Sequence, residues 1–411
     1  MTPEFKLPNC AWLTVGLLWV IGMLNYLDRV MITTMRGSIV AEIPMTEAQF
    51  GLLTAAFLWT YGILSPFAGF LADRYSRSRV IVISLFSWSL VTWLTAHATT
   101  YGELLATRML MGVTEAAYIP AALALITDYH RGHTRSRAEG IHMSGIMVGA
   151  GLGGVGGWIA ERYGWEHSFT LFGLMGLGYT FIVAFLLKDA PRERPSTVNE
   201  TDALPQIGLG AAFVSLFRKK SFILALFYWG LLGMGGWAVV GWMPTYMNEN
   251  FNLAQGVAGL TATGYLQTAM LGGVILGGIW ADRWFRTNPY GRFYVPFIGL
   301  CCAAPGIFLA GYTNLLPLAI LGLVVYGFAR AFADCNMMPI LCQVTDPRYR
   351  ATGYGVLNLC STIVGGFTIY AGGALRDAKI DVSLIFGFAS ISMVACAALL
   401  LVIKSHAAAD R

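Results

Sequence analysis

Six charged side chains in this sequence sit inside apolar runs, where a charge has to justify itself by what it does. Asp28 and Arg29 interrupt a run around Leu24 to Ile32, Arg108 and Glu115 interrupt a second run, and Arg330 and Asp334 interrupt a third. In hydrocarbon each charge would cost roughly 2.5–3.5 kcal/mol on insertion scales, so such residues face a protein interior or a water-filled cavity. Asp28 and Arg29 are neighbours and point about 100° apart on a helix, so each addresses a different partner. Arg108 and Glu115 are seven apart and share one face. We expect Asp28 to meet Arg108 between the first and fourth helices, and Arg29 and Glu115 to border a central cavity. Arg29 offers a forked cation to a substrate carboxylate. Asp28 and Glu115 carry charges that are costly when dry, which suits them to taking up a proton. Protonating one of them would release its arginine and so link proton movement to anion movement. The competing reading is an ion-pair cluster that only fixes helix packing.

Arg330 and Asp334 are spaced i, i+4. They form either a self-contained intrahelical pair or a second anion-facing arginine with its own proton-coupling carboxylate, an arrangement that would suit a substrate with two acidic groups. Tyr26, Ser144, Gln267, Asn336 and Asn358 are candidates for orienting a substrate, together with Tyr228, Trp229 and Tyr354. His142 is read as surface-facing.

Composition says what kind of frame must hold these residues. The 411 residues are 56% hydrophobic and only 12% charged, with a mean hydropathy of +0.62. Soluble domains carry about 25% charged residues, and a soluble fold this apolar would expose large sticky patches. Runs long enough to cross about 30 Å of hydrocarbon recur twelve times: near 11–38, 46–72, 79–97, 102–129, 137–160, 166–188, 221–247, 256–281, 293–312, 315–343, 350–373 and 381–403. Backbone groups in lipid must be satisfied internally, so each run is expected to be a helix. The seven cysteines include no CxxC or Cys/His ligand spacing, and they are read as small buried hydrophobes without disulfide or metal. No HExxH or GxSxG motif occurs, which argues against an enzyme. No cleavable signal peptide is expected, because the first run is long and carries Asp28-Arg29 in its middle.

Basic residues collect in alternate connections: Arg74, Arg77 and Arg79; Arg131, Arg135 and Arg137; Arg192 through Lys220; Arg283 to Arg292; Arg348 and Arg350. The other connections are poor in Lys and Arg, with Arg162 and Arg376 as exceptions. The positive-inside rule makes the basic loops, and with twelve spans both termini, cytoplasmic. The polar stretch 190–220, with Pro191, Pro195 and Pro205, is read as a central cytoplasmic loop between six-helix halves at 1–189 and 221–411. Those halves repeat. Gly69-Phe-Leu-Ala-Asp73-Arg74 follows the second run and Gly278-Ile-Trp-Ala-Asp282-Arg283 the eighth, with the aspartates 282 − 73 = 209 apart. Glu115 lies five residues before Pro120, as Asp334 does before Pro339. The expected architecture is an all-α membrane protein of twelve transmembrane helices in two pseudo-symmetric six-helix bundles.

The segment Gly69 through Arg79 resembles the loop 2–3 signature of the major facilitator superfamily, with Ser76 in place of a usual glycine. The resemblance covers essentially the whole chain and implies the major facilitator fold. Asn25-Tyr26-Leu27-Asp28-Arg29, Arg108, Glu115 and Trp242-Met-Pro244-Thr-Tyr246, read as following helix 7, are similar to the anion:cation symporter family, which includes D-galactonate and hexuronate proton symporters and resembles SLC17 carriers. That resemblance implies Arg29 for substrate, Asp28 and Glu115 for proton coupling, and Arg108 as the pairing group. An arginine at 330 departs from that family's neutral second half. Gly69, Asp73, Arg74 and Arg77, with Asp282 and Arg283, are read as a conformational latch at the basic end, or else as charges that only set topology. The glycines from 145 to 154 resemble a drug-antiporter motif, but Ala150 replaces its proline. The expectation is a proton-coupled symporter of a small organic anion, a sugar acid or carboxylate, working by alternating access in a bacterial inner membrane. We expect a monomer in the lipid bilayer, with no cofactor beyond the coupling proton and no nucleic acid. Spinster-type lipid carriers share the Asp-Arg pair and the helix-4 glutamate, so the alternative is a lipid, amphiphile or drug exporter.

Overall fold

A computed structural model describes residues 10–130, 134–190, 209–346 and 350–409, and for residues 69–73, 136, 209–212, 351 and 406–409 the backbone alone. In chain order the helices are α1 (Ala11–Thr34), α2 (Arg36–Glu42), α3 (Glu47–Arg74), α4 (Arg77–Thr95), α5 (Tyr101–Glu115), α6 (Tyr118–Tyr129), α7 (Arg135–Tyr163), α8 (Trp165–Leu186), α9 (Leu209–Phe217), α10 (Lys220–Asn250), α11 (Gln255–Phe285), α12 (Gly291–Tyr312), α13 (Leu316–Asp334), α14 (Met337–Val344), α15 (Arg350–Asp377) and α16 (Ser383–Ala409). Among the described residues, twelve helical spans are long and apolar enough to cross a membrane. They form two pseudo-symmetric six-helix bundles. The expected first run is divided at Met35, with α2 continuing beyond it. The stretch 190–220 contributes α9, which is too short to span, while 191–208 lie outside the described residues. Trp242, Pro244 and Tyr246 lie inside α10 rather than after it.

The repeat seen in the sequence has a structural counterpart. Span four is α5 followed by α6, and span ten is α13 followed by α14. Glu115 closes α5 and Asp334 closes α13, and each break is followed by a proline in the next segment. Proline has no N–H, so Pro120 and Pro339 deprive the carbonyls of Ala116 and Cys335 of their helical partners. Both acidic residues therefore sit at the end of a broken helix, where the side chain is freed from the regular helical row.

Within the first bundle α1 packs on α7, α3 on α5 and α4 on α8; within the second, α12 packs on α13 and α16, and α11 on α13. The bundles meet along two seams, α3 on α15 and α7 on α11. Helix α7 serves both roles because its glycines face two ways. A side-chain carbon at Gly145 would lie 2.5 Å from the Trp19 carbonyl and one at Gly153 2.7 Å from Val30, whereas one at Gly154 would lie 2.5 Å from the Leu260 backbone nitrogen. Small residues let the helix axes approach on both sides at once.

The cysteines are all free, but only Cys396 is buried, and Cys301 and Cys302 are exposed. The reading of all of them as buried hydrophobes is corrected. In a spanning helix an apolar run faces lipid as readily as core.

Candidate functional site

Asp28 and Arg29, adjacent in α1, are both buried and diverge as helix geometry requires. The carboxylate of Asp28 accepts a hydrogen bond from the Thr92 hydroxyl of α4 at 3.1 Å. Arg29 Nη2 donates to Glu115 Oε2 of α5 at 2.8 Å and reaches Asn25 Oδ1 at 3.4 Å. The guanidinium carbon lies 4.5 Å from the ring centroids of Tyr26 and Tyr61 and 4.9 Å from that of Phe57. Three aromatic faces therefore cage the cation, each adding a quadrupole attraction, and they account for its being only 3% exposed.

Arg108 does not bond Asp28 as the sequence suggested. It is fully buried, donates to the Met111 sulfur at 2.9 Å, and lies 5.0 Å from the Phe57 ring. Phe57 is thus shared by two guanidiniums. Nε and Nη2 of Arg108, Oδ1 of Asp28 and Oε1 of Glu115 have no hydrogen-bond partner among the described residues. Two cations and two anions in one buried pocket sum to zero charge, so the pocket is tolerable when empty. A bound anion would unbalance it unless a proton came too. Glu115 also meets Arg29 directly, a pairing the sequence reading did not specify.

In the second bundle Arg330 and Asp334 of α13 pair at 3.0 Å. Arg330 Nη2 reaches the Leu232 carbonyl of α10 at 3.4 Å. Their side chains are 14% and 22% exposed, against 3% and 0% for Arg29 and Glu115. Tyr354 of α15 lies within electrostatic range of Tyr26 and Tyr61 of the first cluster and of Asp334 of the second.

The other predicted residues fall into place unevenly. Gln267 sits at the α7–α11 seam, against Gly151. Asn358 is half-buried on α15. Ser144 donates to the Ile141 carbonyl and accepts from the Trp19 indole, and the buried Asn336 donates to the Phe332 carbonyl. Both are engaged with their own bundle. His142 is not at the surface: it is buried, with Nε2 2.9 Å from the Tyr118 hydroxyl, which in turn donates to the Leu18 carbonyl. Because that hydroxyl proton goes to Leu18, His142 must donate from Nε2. Of the latch residues, Arg77 donates to the Ala124 carbonyl and pairs with Asp128, and Asp282 pairs with Arg292, each inside its own bundle. Arg283 is exposed, Arg74 ends α3, Gly69 is described by its backbone alone, and the side chain of Asp73 lies outside what is described.

Sequence reasoning missed the charges at the end opposite the basic loops. Arg36 pairs with Glu47, and it reaches Glu249 at 3.2 Å. Arg376 grips Glu249 through two bonds of 2.7 and 2.8 Å and reaches Glu47 at 3.3 Å. The four make a closed ring, with one Arg–Glu pair from each bundle and two longer cross-links between bundles. Asp377 accepts from the backbone N–H groups of Glu47 and Ala48, each at 2.9 Å, and so caps α3 from the other bundle. Nearby, Ser38 and Gln255 exchange two hydrogen bonds. Trp59 donates to the Ile363 carbonyl at 3.1 Å, and Thr263 to the Gly151 carbonyl at 2.8 Å. The molecule is closed at this end. The only hint in the sequence was Arg376, which broke the pattern of basic loops.

The model of the Major Facilitator Superfamily matches residues 18–369. The chain is 27% identical, over 86% of its own length and 86% of the relative's, to a probable sulfoacetate transporter of Cupriavidus necator. It is 23% identical, over 95% and 93%, to a probable galactarate/D-glucarate transporter of Escherichia coli K12. Among solved structures it is similar to a bacterial homolog of the human lysosomal transporter Spinster in an inward-facing, unoccupied conformation: TM-score 0.77, 21% identity, 98% of this chain and 97% of that one.

Proposed function

The chain belongs to the major facilitator superfamily, and on that premise we propose that this membrane transporter moves a small organic anion together with protons. The observation that carries the proposal is the caged Arg29–Glu115 pair, with Asp28 and Arg108 beside it. Arg29 is the only one of the two cations whose arginine fork is held by a single carboxylate that could itself be neutralised. A substrate carboxylate takes Glu115's place on Arg29, and Glu115 accepts a proton so that the pocket keeps zero net charge. Asp28, hydrogen-bonded to Thr92, relays that proton to and from Glu115, and Arg108 is the fixed cation beside them. Bound substrate then bridges the two bundles, which rock about the midplane. The basic loops lie on the cytoplasmic side of the inner membrane, so the closed end is the outer one and the present arrangement faces inward. The carrier works as a monomer and needs no cofactor.

The names of the relatives support an acidic cargo. Sulfoacetate carries a carboxylate and a sulfonate, and galactarate and glucarate carry two carboxylates. The likeness to the spinster homolog favours a second reading, export of an amphiphile. The test is uptake into proteoliposomes of sugar acids, sulfoacetate and lysolipids, with and without an inward proton gradient. Acid uptake driven by the gradient and lost in Arg29→Ala supports symport. Gradient-independent lysolipid movement, or undiminished acid uptake by Arg29→Ala, refutes it.

A further inference from the structure

Resting on the anion-symport reading, we infer that Arg330 is a second acid-binding subsite, that Asp334 is its built-in placeholder, and that the cargo is a dianion held at both ends. The site is built for a guanidinium that changes partner. Gly236 of α10 makes room for it: a side-chain carbon there would lie 2.7 Å from Arg330 Nη2. Arg330 is not saturated. Nη1 bonds Asp334 at 3.0 Å, Nη2 has only a long 3.4 Å contact, and the buried Nε has no acceptor among the described residues. The Tyr228 hydroxyl of α10 is fully buried, has no hydrogen-bond partner among the described residues and lies within electrostatic range of both Arg330 and Asp334. It can donate to an incoming acid group as that group arrives.

Position makes the pair a counterpart of Arg29–Glu115. Asp334 ends a broken helix as Glu115 does, with proline at the same spacing beyond it. In each bundle an arginine is occupied by a carboxylate mounted at a helix break. A dianion engaging both arginines displaces both carboxylates. Each displaced carboxylate takes one proton, so the two negative charges that enter are matched and the crossing carries no net charge. The titratable groups facing Asp334 among the described residues are Arg330 and Tyr326 on its own helix, the adjacent Cys335, Tyr228 of α10 and Tyr354 of α15, and among these Arg330 is the one cation.

Glucarate and gluconate test this, because they differ only in whether the far carbon is a carboxylate. One added charge-assisted hydrogen bond is worth about tenfold or more. Wild-type protein in proteoliposomes is expected to prefer glucarate by at least that factor, and Arg330→Gln to abolish the preference while still carrying gluconate. Asp334→Asn, which leaves Arg330 in place, frees the subsite. Glucarate should then enter with one proton fewer, so that an inside-positive potassium diffusion potential accelerates its uptake, whereas wild-type uptake ignores that potential. An Arg330→Gln carrier that keeps the preference, or an Asp334→Asn carrier as indifferent to potential as wild type, overturns the inference. Equal wild-type uptake of both acids overturns the second subsite and leaves anion symport standing. No gradient-driven uptake of any acid overturns both.

Discussion

Replacing Arg376 with Gln should tilt the carrier toward opening at the end that is closed here. In the four-residue ring each bundle keeps a tight Arg–Glu pair of its own, and only two longer links cross between bundles: Arg36 to Glu249 at 3.2 Å and Arg376 to Glu47 at 3.3 Å. When the bundles part, both internal pairs survive, so the ring opposes opening only through its cross-links. Arg36, Glu47 and Arg376 are largely buried, but Glu249 is 42% exposed, so solvent screens the Arg36–Glu249 link most. A partly exposed ion pair contributes about 0.2–1 kcal/mol. Both cross-links together then amount to about 0.4–2 kcal/mol, small enough for the carrier to undo on every cycle. Arg376→Gln removes one cross-link and leaves Glu249 leaning on Arg36 alone. The expected shift toward the open form is about 1 kcal/mol, or roughly fivefold in population. Pulsed-EPR distances between spin labels at Ala41 and Ala378, on either side of the seam, would read it directly. Raising the salt concentration should produce part of the same shift in the wild type, because screening acts over about 8 Å at physiological ionic strength. Unchanged distance distributions in Arg376→Gln at low salt would refute the reasoning.

Glu115→Gln should stop accumulation driven by a proton gradient yet retain gradient-free substrate exchange, measured as counterflow. It should also lower thermal stability by about 3 kcal/mol, because Arg29 stays buried without its counter-ion. Gly154→Leu should hold the closed end apart, since even its first side-chain carbon would meet the Leu260 backbone at 2.5 Å; the same spin labels should report a longer mean distance. Tyr118→Phe strips the Leu18 carbonyl of its donor and His142 Nε2 of its acceptor. It should destabilise the first bundle by about 1–3 kcal/mol in thermal unfolding.

The spans were legible because lipid imposes a simple rule of length and apolarity, and the breaks because Pro120 and Pro339 announce them. The list of buried charges was equally plain, since Asp28, Arg29, Arg108, Glu115, Arg330 and Asp334 each violate that rule. Partnership was not. Asp28 turned to Thr92 because a neutral hydroxyl on α4 stood nearer than Arg108, and a threonine among apolar residues gives no warning. Phe57 and Tyr61 join the site only because α3 lays its aromatic face over Arg29. Hydrogen bonds spanning some 329 positions, such as those tying Arg376 and Asp377 to the start of α3, belong to tertiary geometry. His142 was misplaced for the same reason, because Tyr118 and Leu18 draw it inward across helix boundaries.

The cap on α3 carries a consequence of its own. A helix whose first turn is satisfied by a carboxylate on the opposite bundle loses that partner whenever the bundles swing apart, and the amides of Glu47 and Ala48 are then handed to water. Their deuterium uptake becomes a clock for the transport cycle, slow while Asp377 is docked and fast once it leaves. Turnover could in this way be followed by mass spectrometry in the unmodified protein, without a single probe attached.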